Sequence, residues 1–85
     1  MAIIQSDNKT HAATCATSEG SRQNDVAQAV IAGGGSATVA AAVKTAEVAH
    51  YRRVIASCQA TGQPYAQFLE TLRFMGIAIP VFILL

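Results

Sequence analysis

Tryptophan is absent from the chain, and only two tyrosines and three phenylalanines stand among 85 residues. Large anchors for a hydrophobic core are therefore few. Apolar residues make up 52%, but much of that share is alanine, which buries little area per residue. Chains this short bury a low fraction of their surface and lean on a disulfide, a metal or a partner for stability. Two cysteines, Cys15 and Cys58, lie far apart and outside any Cys-x-x-Cys pattern, so neither a disulfide framework nor a zinc site is encoded. The staple left over is oligomerisation or docking on a larger body.

Charge is scarce as well. Charged residues are 13% with a formal net charge of +1, well below the quarter or so usual in soluble domains. No basic run exists, and only Arg52 and Arg53 adjoin. A nucleic-acid footprint needs a clustered Lys/Arg face beside stacking aromatics, so nucleic acid is not an expected partner. Low charge suits a part packed within a protein assembly, present as a homo-oligomer or in many copies. The first residues, "MAIIQSDNKT", carry no basic segment and their apolar stretch ends at Ile4, so no secretory signal is expected. Synthesis in a cytoplasm with reduced thiols follows.

What is present reads mainly as α-helix, in three parts. Residues 1–23 are polar, rich in Ser, Thr, Ala and Asn, and are expected to form an extended arm held by neighbours. Residues 24–76 are expected to form a helical body. A short helix can begin at Asn24–Asp25, whose side chains can cap it, and "GGG" at Gly33, Gly34 and Gly35 breaks it as a hinge. Ser36 is a good N-cap for the longest element, which Gly62 and Pro64 end. Pro64 also suits the first turn of a further helix. The spacing thus predicts an αα-hairpin of about 36–61 and 64–75. Its core is expected from Tyr51, Val54, Ile55 and Cys58 on the first helix and Tyr65, Phe68, Leu69 and Leu72 on the second. Arg52, Arg53 and Gln59 mark the opposite, alanine-rich half of the long helix, open to another chain.

Several constellations invite chemistry. "VIAGGGSATVAAAV" has Gly33-x-Gly35 before a helix, as in a dinucleotide-binding turn. Thr38 stands where a third Gly or Ala belongs, and no second strand follows, so a cofactor is not expected. Glu47-x-x-His50 has the spacing of helical di-metal carboxylate sites, which need further carboxylates from other helices. A Lys44–Glu47 pair with His50 at the edge of the packed face is the plainer reading, and no metal is expected. Cys58 reads as a small buried hydrophobe, with His50 two turns off, and Cys15 has no helical neighbour to activate it. Tyr51, Arg52 and Arg53 could grip a phosphate or carboxylate, but a solvated edge accounts for them. No paired acid and base are legible, so no catalytic residues are assigned.

Residues 77–85 form an apolar tail, with Ile77, Ile79, Val81, Phe82, Ile83, Leu84 and Leu85 as expected docking residues. Each would gain about 1.5–3 kcal/mol on leaving water, so the tail must be covered. From Phe74 onward a helix would reach only about 18 Å, short of roughly 30 Å of hydrocarbon, and Pro80 would break it. A partner's sheet edge, the chain's own hairpin or one membrane leaflet could cover it. Lipid anchoring usually adds a cationic flank, and no basic residue follows Arg73, so a membrane is the less favoured cover.

Residues 46–76, "AEVAHYRRVIASCQATGQPYAQFLETLRFMG", resemble a helix-turn-helix hairpin of small virion-associated proteins of tailed bacteriophages. The resemblance rests on Tyr51–Arg52–Arg53, Ala56–Ser57, Gly62, Phe68 and Leu72. It implies a structural role in a virion assembled in a host cytoplasm and carries no catalytic residues. The usual counterparts end soon after the second helix, whereas this chain adds the tail. A structural protein docking through arm, alanine-rich helix and tail is therefore expected, with a small membrane-associated protein as the alternative.

Overall fold

The computed structural model describes residues 8–77. It is mainly helical, with a packed helical hairpin and no strand among the described residues. Among these residues three helices follow one another: α1 Lys9–Ala32, α2 Ser36–Thr61 and α3 Ala66–Phe74.

The polar arm expected over residues 1–23 is corrected from residue 9 onward. Residues 9–23 are helical and run without a break through Asn24 and Asp25, so no short separate helix starts there. The start signal lies at Asn8, whose side-chain oxygen accepts the His11 N–H at 2.9 Å. The helix persists through polar sequence because its polar side chains have partners. His11, Cys15, Ser18 and Glu19 are buried and recur at the three- and four-residue steps of one helical face.

Gly33, Gly34 and Gly35 all take positive φ, from 67° to 96°, and fold α1 back onto α2. Glycine adopts that region without the Cβ clash other residues suffer. Gly35 occupies the N-cap position of α2, and Ser36 is already helical, so the expected Ser36 cap is not made. At the other end Gly62 is left-handed at φ 71°, and the N–H groups of Gly62 and Gln63 return to the Cys58 carbonyl. Pro64 and Tyr65 precede α3 rather than open it. The Tyr65 carbonyl accepts from the N–H groups of Phe68 and Leu69. Beyond Phe74, the N–H of Ile77 closes back to the Leu72 carbonyl at 3.0 Å.

The closest helix pairing is therefore between α1 and α2, with α3 a shorter third layer at the open end of that hairpin. The core sits there too. It joins Cys15 of α1, Val54, Ile55 and Cys58 of α2, and Phe68, Leu69 and Leu72 of α3. Val48, Tyr51, Tyr65 and Ile77 pack around its edge, and the Tyr51 and Phe68 rings lie 6.2 Å apart. Towards the glycine turn the picture reverses: from Gly20 to Thr45 no residue is buried.

Candidate functional site

The two long helices meet along a polar seam above the apolar core. Two histidines anchor it, one on each helix. His11 of α1 reaches Ser57 of α2 through Nδ1, 2.8 Å from Oγ. Its other nitrogen, Nε2, lies 3.6 Å from the Cys15 sulfur and 3.7 Å from the Cys58 sulfur. His50 of α2 is 1% exposed, and its Nδ1 lies 2.8 Å from the Ser18 hydroxyl of α1. Arg53 fastens the same serine, donating Nε–H to Oγ at 2.7 Å and an Nη2–H to the carbonyl at 3.1 Å.

Proton inventory sets the states of this seam. The Ser18 oxygen takes the Arg53 N–H and has its own proton to give to His50 Nδ1. A neutral ring then carries its proton on Nε2, which faces Glu19 Oε2 at 3.5 Å, beyond a good hydrogen bond. Glu19 is occupied elsewhere: Arg22 grips both its oxygens, at 2.6 and 2.9 Å, and Gln23 adds a third donor. The Arg22 hydrogen bond holds the Glu19 carboxyl below its ordinary range against the opposing effect of burial. Burial pushes His50 down, the positive charges of Arg53 and Arg22 push the same way, and Glu19 and the Ser18 carbonyl only partly oppose them. Burial also raises both thiols, and Cys15 further raises Cys58.

Ser18, His50 and Glu19 are the residue types of a hydrolytic triad, yet the arrangement is that of a clasp. Ser18 sits inside α1, where backbone N–H groups are spent on the helix and none is spare for an oxyanion. All three side chains are buried between the helices. The Cys15–His11–Cys58 cluster is likewise not a metal cage. The Cys15 sulfur is nearly equidistant from the two ring nitrogens, at 3.8 and 3.6 Å, so it lies against the ring's flank rather than along one lone pair. No group of three or more His, Cys, Asp or Glu among the described residues is set to hold a metal ion.

Of the residues expected in the hairpin core, Val54, Ile55, Cys58, Phe68, Leu69 and Leu72 are buried together, with Tyr51 and Tyr65 half-buried beside them. Gly33, Gly34 and Gly35 form the turn between α1 and α2. Ile77 seats against the core near Val48 and borders a cavity of about 260 Å³ with Lys44, Thr45, Ala49 and Arg52. Ile79, Val81, Phe82, Ile83, Leu84 and Leu85 lie outside the described residues.

Three expectations change. His50 is not at an edge with Glu47 but buried against Ser18 and Glu19. Arg53 is no solvent-facing marker, since it crosses to α1. Cys15 has a helical neighbour after all, His11 one turn before it, and that ring brings it to Cys58. His11, Ser18, Glu19 and Arg22 were not singled out by sequence reasoning, and Ser57 entered only through the hairpin resemblance. The signal that could have found them is the 4-3-4 spacing of His11, Cys15, Ser18 and Arg22, a seam written in polar residues.

Exposed apolar side chains stand apart from the seam. Val30 is 61% exposed, Ile31 76% and Phe74 94%. From Val26 to Val43 no charged residue occurs, across the end of α1, the glycine turn and the start of α2. Among the described residues no helix is long and apolar enough to cross a membrane. No protein-family model matches the chain, and no similar protein is found among the curated proteins or the solved structures.

Proposed function

We propose that the chain is a non-enzymatic structural protein that docks, in several copies, within a larger protein assembly. The observation that supports this reading is the glycine-turn half of the α1–α2 hairpin. It is apolar, bears no charge from residue 26 to 43, and buries nothing of its own from Gly20 to Thr45. Water is a poor environment for Val30 and Ile31, and covering them would return about 1.5–3 kcal/mol each when complete. The seam at the opposite end fastens α1 to α2, so both helices carry this surface already paired. A virion component of a tailed bacteriophage is the specific form of this proposal, carried by the resemblance of residues 46–76.

Sedimentation velocity on the full-length chain in detergent-free buffer tests it. A discrete species larger than one chain is expected, and Ile31→Lys should shift it towards monomer. A well-behaved wild-type monomer at high concentration overturns the multi-copy reading. Material that becomes monodisperse only in detergent overturns it in favour of the membrane-associated alternative.

A further inference from the structure

The only two cysteines of the sequence, 43 residues apart, arrive at one nitrogen: both sulfurs lie within 3.7 Å of His11 Nε2. They come from different helices and are both free thiols in this structure. In the tautomer that donates its Nδ1–H to the Ser57 hydroxyl, His11 is left with Nε2 as the proton acceptor beside the sulfurs. Cys58 is 1% exposed, as is Cys15, but differs from it in position. It forms part of the wall of a surface cavity of about 410 Å³ with Gln59, Gly62, Gln63 and Tyr65. Cys15 lies in the same buried core.

We propose that Cys58 and Cys15 form a dithiol modification site, oxidised by a small hydroperoxide to a disulfide that clasps α1 to α2, with His11 as the proton carrier. The Cys58 thiol proton passes to His11 Nε2, and the thiolate sulfur attacks the terminal oxygen of the hydroperoxide. The O–O bond breaks, Cys58 becomes a sulfenic acid, and the departing alkoxide takes the proton from His11 to leave as an alcohol. The Cys15 sulfur then attacks the Cys58 sulfur. The S–S bond forms, hydroxide leaves, and it departs as water with the Cys15 proton. Two electrons move from the two thiols to the peroxide, so one hydroperoxide gives one disulfide, one alcohol and one water. Burial keeps both thiols protonated at rest, which makes the reaction slow and its product long-lived, a clasp rather than a turnover enzyme.

The test uses the full-length chain, reduced, freed of reductant and treated with tert-butyl hydroperoxide. The expected product runs as a single chain on a non-reducing denaturing gel, has no thiol left for maleimide after denaturation, regains two on dithiothreitol treatment, and melts about 5 °C or more above the reduced form. Two thiols still titrating, a sulfinic acid on Cys58, or a disulfide-linked dimer on a non-reducing gel each overturn the intramolecular site. His11→Gln should slow disulfide formation by about tenfold or more. An unchanged rate with the same product overturns the role given to His11.

Discussion

His50 is where acid should act first. In the fold it is neutral, kept so chiefly by burial and secondarily by Arg53 and Arg22. An unfolded chain has no such constraint and binds a proton once the pH falls below the ordinary value of 6.5. Because the unfolded state then holds more protons than the folded one, stability falls as pH drops through and below that point. Glu19 acts in the same direction further down, since its carboxyl is held below the ordinary 4.5 and its contribution is lost as pH falls through the folded value. The urea midpoint should be level from pH 8 to 7, decline from about pH 6.5 and decline again below about 4.5. A midpoint unchanged between pH 8 and 5 would show that His50 titrates freely and is not locked in the seam.

At the scale of elements, α1 depends on its N-terminal cap, because the first turn holds neither an acidic side chain nor any other cap to Asn8's role. Asn8→Ala should cost about 1 kcal/mol, read as a lower urea midpoint with unchanged slope. No loss would mean that α1 is fastened entirely by the seam. The helices differ in how openly the sequence declares them. α2 was legible at its end because Gly62 and Pro64 are strong stop signals, and α3 because Phe68, Leu69 and Leu72 carry a plain apolar stripe. α1 was not, because its buried face is His11, Cys15, Ser18 and Glu19, residues that hydropathy reads as solvent-facing. What makes the seam core-like is pairing between positions 32 to 47 residues apart, and hydropathy does not reveal which residues pair. For the same reason the seam left only the 4-3-4 spacing of His11, Cys15, Ser18 and Arg22 as a trace, while most of the apolar core around Ile55 and Leu72 was plain.

At the scale of the whole molecule, the buried apolar residues among those described, Ala46 apart, cluster at the end where three helices meet. Small domains of this size hold only about 3–5 kcal/mol in a single core. Leu72→Ala, at a fully buried position against α2, should cost about 2–5 kcal/mol, a large part of that reserve, seen as a much lower urea midpoint. A variant that stays folded with a small shift would mean that α3 is dispensable to the hairpin. The position of the core relative to the glycine turn also fixes the order in which the structure can assemble. A hairpin ordinarily gains by zipping outward from its turn, where loop closure is cheapest. Here the residues beside the turn bury almost nothing, so early closure there earns little and readily reopens. The contacts that hold the fold, such as Ser18 with His50 and His11 with Ser57, join positions 32 and 46 residues apart. A growing chain therefore cannot commit α1 to its final place until the far half of α2 has been made, and the barrier to folding lies in bringing distant ends together rather than in turning the corner.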